Sequence, residues 1–244
     1  MVPGSLHDVE PRTEHMAHKK LTIVIPALNE ELGIEKTIRA VPRAEIDKIG
    51  YHTQVLVVDN GSDDATAELA ARAGAVVVPE PNRGYGTALK RGFAAADGDV
   101  IVTADADATY PLEDIPRLVQ ILDSENLDFI TTNRFALLQR EAMSNRNRIG
   151  NAVLSWTMRL LFRLKIDDSQ SGMWVFRREI LKNLKLSSNT PLSQEIKIEA
   201  CHFARCRWRE VPIQYHLRSG KAKLGGWKVG TGNLIHLYTK RLRR

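Results

Sequence analysis

The sequence predicts an α/β protein with a mostly parallel central sheet and helices on both faces. Short β-branched runs recur between residues 21 and 131, and segments compatible with helices separate them. Strands and helices that alternate in this way form parallel sheets, because each crossover helix covers one face of the sheet. The length of 244 residues and the 43% hydrophobic content also allow a substantial core to be buried.

Five strands are predicted from the apolar runs. They cover residues 21–26, 54–59, 75–78, 100–102 and 128–131. Apolar residues at helical spacing predict the helices between them, at Ile34, Ile38 and Val41, at Leu69 and Ala73, at Ala88, Phe93 and Ala96, and at Ile115, Leu118, Val119 and Leu122. Asn29 and Asp63 stand where N-caps of two of these helices are expected.

A long basic and apolar stretch from Gln139 to Lys165 interrupts the alternation. Its apolar residues fall close to helical spacing and are Ile149, Val153, Trp156, Leu160, Leu161 and Leu164. Its cationic residues are Arg140, Arg146, Arg148, Arg159 and Arg163. Two interpretations fit this pattern: a helix that lies on an anionic lipid surface, and an ordinary helix that packs against the sheet.

Positive charge is concentrated at the C-terminal end. The chain has a formal net charge of +6, and the segment from Cys201 onward carries eleven lysines and arginines against one acidic residue, Glu210. Such a segment favours an anionic partner, which is a nucleic acid, an acidic membrane surface or a phosphorylated substrate. The alternative is a solvated basic tail, which we favour for residues 240–244 taken alone.

Several features predict a cytoplasmic protein with at most peripheral membrane contact. The sequence has no run of the roughly 18 apolar residues that span a bilayer, and residues 1–20 lack the apolar segment of a secretion signal. We expect residues 1–20 to be a disordered leader. Cys201 and Cys206 have a spacing that suits neither a disulfide framework nor a four-ligand zinc site, so we expect both to be reduced.

The apolar run that begins at Val100 leads into two carboxylates, Asp105 and Asp107. A buried strand would present both at its carboxyl end, where ligands collect in open α/β sheets. Mg²⁺ and Mn²⁺ prefer carboxylate and phosphate oxygens, so this pair is a candidate for a metal site beside a diphosphate. The alternative is that both residues are solvated members of a turn before Pro111.

Five short motifs occur in one order along the chain. They are Val24–Glu30, Val57–Asp63, Asn82–Ala88, Asp105–Asp107 and Asp168–Met173. Together they resemble the family-two glycosyltransferases, and the match, from about Leu21 to Leu224, is nearest to the polyprenyl-phosphate (dolichyl-phosphate) mannose and glucose synthases. The glycine-rich stretch ends in Leu89 where a dinucleotide fingerprint needs its third glycine, which weighs against an oxidoreductase.

The resemblance implies the nucleotide-diphospho-sugar transferase (GT-A) fold, inversion at the sugar carbon, and Mg²⁺ or Mn²⁺ as cofactor. It also implies a nucleotide-sugar donor, a UDP- or GDP-hexose, and a polyprenyl phosphate acceptor at an anionic membrane surface. No nucleic acid partner is expected. The glycosyltransferase domain would cover residues 21–224, with a nucleotide-sugar-binding half at 21–133 and an acceptor half at 134–224, followed by a basic segment at 225–244.

The resemblance assigns the donor site to residues at the ends of the first four strands. They are Pro26, Ala27, Asn29, Glu30, Asp59, Arg83, Gly84, Asp105, Ala106 and Asp107. Asp105 and Asp107 would hold the metal, and Ala106 would contribute its backbone. Pro26 alone could simply end a strand and Asp59 could simply begin a turn. Ala108 stands where relatives often carry a glycine or a polar residue, which bears on the shape of this loop.

The resemblance places Arg134, Arg218 and Lys223 at phosphate or acceptor groups, for which paired guanidinium hydrogen bonds are well suited. The predicted catalytic residues are Asp107, Asp168 and Glu195. The last two are expected to orient the acceptor, because a phosphomonoester is already largely ionised at neutral pH and needs no strong base. Either carboxylate could instead cap a helix or pair with an arginine.

Two rival functions remain open at this point. The first is a transferase of the same fold that acts on a soluble hydroxyl acceptor. The second is a nucleotide- or nucleic-acid-binding module without catalysis, which would have to explain the two closely spaced aspartates and would tolerate Asp107→Asn.

Overall fold

The computed structural model describes residues 19–137, 145–216 and 226–243, and within them a seven-stranded sheet forms the centre of the molecule. Its strands are β1 (Lys19–Ala27), β2 (Tyr51–Asp59), β3 (Val76–Pro79), β4 (Val100–Thr103), β5 (Phe129–Asn133), β6 (Trp174–Arg177) and β7 (Trp208–Pro212). Their order across the sheet is β3-β2-β1-β4-β6-β5-β7.

Neighbouring strands run parallel except at β6, which is antiparallel to both β4 and β5. The amino end of β6 therefore lies at the same edge of the sheet as the carboxyl ends of β1, β2, β4 and β5. Loops that leave these four strands meet the loop that enters β6. This edge is the position at which open α/β sheets bind ligands.

Helices cover both faces of the sheet. They are α1 (Ile34–Arg39), α2 (Arg43–Lys48), α3 (Thr66–Arg72), α4 (Tyr85–Ala95), α5 (Ile115–Ser124), α6 (Asn145–Phe162), α7 (Leu192–Lys197) and α8 (Gly226–Leu242). Two 3₁₀ turns, Leu112–Asp114 and Arg178–Asn183, complete the connections, and a π-helical turn, Ile198–Phe203, continues α7.

The alternation of side chains along β1 shows how the two faces are filled. Ile23 and Ile25 pack into an apolar cluster with residues of α1, α2, α3 and α5. Val24 points to the other face and packs with residues of α4, α6, α7 and α8. Because successive residues of a strand face opposite sides, a continuous apolar run is required where both sides are covered. The predicted α/β class with helices on both faces is confirmed.

The five predicted strands are confirmed as β1 to β5, whereas β6 and β7 were not predicted. The strand β6 is a short apolar run of four residues, as are β3 and β4, but it follows the stretch in which the alternation of strands and helices stops. In β7 just Val211 is buried, and charged residues precede it, so the segment does not resemble an interior strand. Both strands depend on pairing with β5, which lies far from them in sequence.

Two local predictions were wrong. The strand β1 begins at Lys19, so the last two residues of the segment expected to be a disordered leader belong to the sheet; residues 1–18 lie outside the described residues. The helices α1 and α3 begin after Gly33 and Ala65, and neither has a side-chain cap. Asn29 instead accepts a hydrogen bond from the Asp63 amide at 2.8 Å and so joins two loops.

The helix α6 packs against the core with one side, as the second interpretation of the basic and apolar stretch predicts. Leu154, Met158 and Phe162 are buried in the core. The opposite side of the helix is exposed to solvent. Across residues 19–137, 145–216 and 226–243, no helix combines the length and hydropathy that crossing a bilayer requires.

Candidate active site

The strand β4 delivers the aspartate pair to the carboxyl edge of the sheet. Asp107 is 3% exposed, and its Oδ1 accepts hydrogen bonds from the Thr109 hydroxyl at 2.6 Å and the Thr109 amide at 3.2 Å. Asp105 is partly exposed, and the Tyr85 hydroxyl lies 3.5 Å from its Oδ1. The carboxylates are therefore held by neighbouring groups of the site and are not both solvated turn residues.

The chemistry of this pair fits a divalent cation. Mg²⁺ in phosphate-transferring sites is held by one or two protein carboxylates, while substrate phosphates and water supply the remaining oxygens. Asp105 and Asp107 provide such a minimal donor set. The described residues contain no group of three or more histidine, cysteine or acidic side chains arranged to hold a metal. Water and substrate phosphates are the usual source of the remaining oxygens at such a pair.

The loop that carries the pair is tightly packed. Ala108 adopts a left-handed conformation with φ +60°, which a residue with a side chain rarely does. The Ala106 carbonyl accepts a hydrogen bond from the Thr37 hydroxyl at 3.0 Å. A Cβ at Gly33 would lie 2.8 Å from that carbonyl oxygen, so α1 can approach only with glycine at this position. Ala108, where relatives often carry a glycine or a polar residue, thus lies in a constrained part of the backbone.

Five of the predicted donor-site residues lie at or just after the ends of β1 and β2. Pro26 does not end its strand: it pairs in register with Val58 of β2, beyond the point at which the pairing with β4 stops. Proline is tolerated there because its missing N–H is not required by a second neighbour. Ala27 pairs with Asp59, the last residue of β2.

The ends of these two strands are connected by side-chain hydrogen bonds. Asp59 accepts a hydrogen bond from the Ser62 amide at 3.2 Å, which closes the turn after β2. The amides of Asn29 and Glu30 donate to Ser62 and Thr66, respectively. The donor-side residues at the ends of β1 and β2 therefore belong to one connected pair of loops.

The loop that contains Arg83 and Gly84 lies beside the loop that follows β2. Arg83 donates to the Gly61 carbonyl at 3.0 Å and pairs with Asp63 at 2.9 Å, with 59% of its side chain exposed. The Gly84 amide donates to Asn60, which is 4% exposed. Gly84 has φ +151°, and a Cβ there would lie 2.1 Å from Asn189 Nδ2. The loop can therefore be placed only with glycine at position 84.

Arg134 and Asp168 form a buried ion pair at the carboxyl end of β5. Two guanidinium nitrogens of Arg134 donate to the two carboxylate oxygens of Asp168, at 2.7 and 2.9 Å. The Arg134 side chain is 9% exposed and that of Asp168 is fully buried. Burial raises the pKa of the Asp168 carboxyl, but the charge and hydrogen bonds of Arg134, together with the charge of Lys197, lower it more, and the net pKa is below its usual value. Asp168 thus pairs with an arginine, one of the two roles that the sequence left open.

Further charges surround this pair. The Lys197 ammonium donates to the Asp168 main-chain carbonyl at 2.7 Å. Glu210 of β7 accepts hydrogen bonds from the amides of Asp167 and Asp168, both at 2.9 Å. Burial raises the pKa of Glu210. These contacts fix the loop of residues 167–172, which enters β6.

Three tyrosines line the space between Asp105 and Arg134. Tyr110 accepts a hydrogen bond from the Gly172 amide at 2.6 Å, and its ring meets that of Tyr215 edge to face. The Arg134 guanidinium lies 5.3 Å from the centre of the Tyr215 ring. Burial raises the pKa of Tyr85, Tyr110 and Tyr215, so their hydroxyls remain protonated donors at neutral pH.

Glu195 is bound within the protein rather than presented to a ligand. Its carboxylate is fully buried and accepts hydrogen bonds from Lys240 of α8 at 2.8 Å and from the Ser188 amide at 2.8 Å. Burial raises the pKa of Glu195, but the hydrogen bond and charge of Lys240, together with the hydrogen bonds from Ser187 and Ser188, outweigh burial and leave the pKa below its usual value. This geometry connects α7 to α8. Arg218 and Lys223 lie outside the described residues.

Several residues of the site were not singled out from the sequence. They are Asn60, Tyr85, Thr109, Tyr110, Asn189, Lys197, Glu210 and Tyr215. Asn60 and Tyr85 lie inside two of the five motifs, so their positions carried a signal. Lys197, Glu210 and Tyr215 reach the site only because β6 and β7 place their neighbourhood beside β5, and this pairing was not predictable from local pattern.

The fold and the family follow from comparison with known proteins. The most similar folds include a crystal structure of glucosyl-3-phosphoglycerate synthase from Mycobacterium tuberculosis in complex with Mn²⁺, UDP-glucose and phosphoglyceric acid. It aligns with a TM-score of 0.73 and 23% identity over 92% of this chain and 80% of that chain. The chain thus has the nucleotide-diphospho-sugar transferase (GT-A) fold. The model of the glycosyl transferase family 2 matches residues 22–185, and the chain belongs to that family.

Two curated relatives extend over nearly the whole chain. The dolichyl-phosphate hexose transferase of Haloferax volcanii is 33% identical over 91% of this chain and 96% of its own length. The undecaprenyl-phosphate 4-deoxy-4-formamido-L-arabinose transferase of Salmonella paratyphi B is 30% identical over 90% of this chain and 65% of its own length. These similarities confirm the predicted family and establish the chain as a glycosyltransferase.

Proposed function

We propose that this protein transfers a hexose, with inversion, from a nucleotide-diphosphate sugar to a polyprenyl phosphate at an anionic membrane surface. The observation that carries this proposal is the similarity to the dolichyl-phosphate hexose transferase over almost the full length of both chains. The aspartate pair and the buried Arg134 at one edge of the sheet support it. In the transfer, a phosphate oxygen of the acceptor bonds to the sugar carbon while the bond to the nucleoside diphosphate breaks.

Each side of the site has a distinct part in this proposal. The connected loops after β1 and β2 bind the nucleoside, and Arg83 lies where it can approach the phosphates. Asp105 and Asp107 hold Mg²⁺ or Mn²⁺, which neutralises charge on the leaving diphosphate when bound. Arg134, oriented by Asp168, provides positive potential for the acceptor phosphate. The acceptor itself carries the negative charge of the nucleophile, so no strong base is required.

The membrane contact is proposed to use one face formed by α6 and α8, which pack against each other. Its apolar residues are Ile149, Val153, Trp156, Leu160, Ile235, Tyr238 and Leu242, each 49–84% exposed. Neither helix contains an acidic residue, and both carry arginine or lysine. Such a surface suits an anionic bilayer: the exposed apolar side chains can insert below the lipid headgroups, and the arginines and lysines are attracted to the negative headgroup charge.

A transfer assay tests the function. Labelled UDP- and GDP-hexoses are incubated with a short-chain polyprenyl phosphate, Mn²⁺ and anionic liposomes, and lipid-linked sugar is measured. We expect Asp107→Asn to lower the rate by about a hundredfold or more, because charge on the leaving group is then poorly stabilised. Asp47→Asn, on the exposed surface of α2 near the amino end of β2, is the matched control. Transfer only to soluble hydroxyl acceptors, or nucleotide binding without transfer, would contradict the proposal.

Liposome sedimentation tests the membrane face separately. Removing an apolar anchor of the size of Trp156 is worth about 1.5–3 kcal/mol, so Trp156→Ser should weaken binding to anionic liposomes about tenfold or more. Val76→Ser, at an exposed apolar position of β3, should leave binding unchanged. Equal loss in both variants, or binding that does not depend on anionic lipid, would show that α6 and α8 do not form the contact.

A further inference from the structure

A fully buried lysine is not used by the proposed transfer. Lys197 lies at the end of α7, and the Asp168 main-chain carbonyl accepts a hydrogen bond from its ammonium. The charged and titratable groups around it are Asp168, Arg134, Glu210 and Cys201. An ammonium taken out of water loses much of its hydration energy, so a buried lysine is costly to stability. This position therefore needs a reason other than stability.

The contacts of Lys197 lead to the loop of residues 167–172. Three groups hold the beginning of this loop: Lys197 binds the Asp168 carbonyl, Glu210 binds the amides of Asp167 and Asp168, and Arg134 binds the Asp168 carboxylate. Each of the three approaches a different part of the backbone or side chain. Together they define both the position and the rotation of Asp168.

The other end of the same loop lies against the aspartate pair. The Gly172 amide donates to Tyr110, and the Gly172 carbonyl accepts from Thr103 at 2.7 Å. A Cβ at Gly172 would lie 2.6 Å from the Tyr85 hydroxyl and 3.7 Å from Asp105 Oδ1. A displacement of Asp168 would therefore be transmitted over a few residues to the surroundings of Asp105.

We propose that Lys197 is a positioning residue: its buried ammonium holds the Asp168 carbonyl and thereby fixes Arg134 and the 167–172 loop for transfer to the acceptor phosphate. This inference rests on the proposed function. It assigns to Lys197 a role in the transfer step and not in nucleotide binding, because its hydrogen-bond partner Asp168 and the charged groups around it belong to the acceptor side of the site.

Protonation gives a readout that a purely structural role would not move. Burial lowers the pKa of Lys197 to about 8, although the nearby Asp168 opposes this shift. The ammonium is therefore present at neutral pH and loses its proton under mildly alkaline conditions. We expect the transfer rate of the wild type to fall as the pH rises through about 8.

The experiment compares the wild type with Lys197→Met, Lys197→Arg and Lys182→Met. Methionine fills a similar volume without charge, and arginine stays charged over the whole pH range. Lys182 is exposed and serves as the matched control. We measure Mn²⁺-dependent UDP affinity, kcat and acceptor KM for a short-chain polyprenyl phosphate from pH 6.5 to 9.5, and the urea midpoint of unfolding.

The expected result is specific to the transfer step. Lys197→Met should keep its UDP affinity and its urea midpoint at pH 7, while kcat falls about 10- to 100-fold, the range typical of small misplacements in an active site. It should also lose the alkaline fall near pH 8. Lys197→Arg should recover part of the rate and keep it at pH 9. Lys182→Met should behave as the wild type.

Other outcomes are decisive in different ways. If the wild type binds UDP and transfers sugar but Lys197→Met has the same kcat and pH profile, the positioning role is wrong. If Lys197→Met loses UDP affinity and its urea midpoint together, Lys197 is structural and the inference is also wrong. If the wild type neither binds UDP nor transfers sugar, the proposed function fails instead.

Discussion

Replacement of Asp168 by asparagine removes one charge from a buried ion pair while keeping the shape of the side chain. The Arg134 side chain is 9% exposed and Asp168 is fully buried, and Lys197 adds a second cation next to them. Breaking a buried pair by removing one partner typically costs about 3–5 kcal/mol, because the remaining charge stays desolvated. We expect a loss of about 3 kcal/mol in the free energy of unfolding, since the asparagine oxygen still accepts one hydrogen bond from Arg134.

Urea denaturation at pH 7, followed by circular dichroism, measures this loss. Asp167→Asn is the matched control, because the neighbouring carboxylate is 61% exposed and pairs with Arg159, which is 44% exposed. Exposed pairs contribute roughly 0–1 kcal/mol. If Asp168→Asn costs no more than Asp167→Asn, the ion pair does not hold the loop, and the reasoning from burial is refuted.

The same comparison has a defined pH dependence. Burial raises the pKa of Asp168, but Arg134 and the neighbouring charges hold it below its ordinary value of 3.8 in the folded state. As the pH falls, the unfolded chain binds the proton first, so the contribution of this carboxylate is complete above 3.8 and is lost as the pH falls through the folded-state pKa. The difference between wild type and Asp168→Asn should therefore be constant from pH 5 to 7 and shrink below pH 3.8.

Three further predictions concern stability. Gly84→Ala should lower the free energy of unfolding by about 1–3 kcal/mol, because a Cβ would lie 2.1 Å from Asn189 Nδ2 and φ is +151°. Gly150→Ala, with open space around it, should leave the stability unchanged. Equal thermal midpoints of the two variants would contradict the clash. The free energy of unfolding of the wild type relative to Lys197→Met should rise by up to about 3 kcal/mol between pH 8 and 10.5, since Lys197 binds its proton more tightly in the unfolded chain than in the folded one. If urea titrations give the same difference at every pH, the pKa of Lys197 is not shifted. Lys240→Met leaves the buried carboxylates of Glu195 and Glu199 without their shared cation, so α8 should become sensitive to limited proteolysis under native conditions. Unchanged cleavage would show that these two ion pairs do not anchor the helix.

Local pattern was sufficient for the donor half of the fold. Each of β1, β2 and β4 contains a short apolar run between polar segments, and a buried parallel strand requires such a run because both of its faces are covered. The acceptor half followed this rule poorly. The strands β6 and β7 lie beyond the point at which the alternation of strands and helices stops, and β7 has charged residues before its one buried residue, Val211.

The family, the fold class and the acidic pair were determined by the sequence alone, because they depend on residues that are close together along the chain. Only the tertiary structure decided how the acceptor side is charged. Arg134 and Asp168 are 34 residues apart, and Lys197 lies 29 residues beyond Asp168. They meet because β6 runs antiparallel beside β5 and brings its entering loop to the carboxyl edge of the sheet. Whether a charged side chain faces solvent, a ligand or another buried charge is set by such long-range packing, which spacing along the chain does not contain.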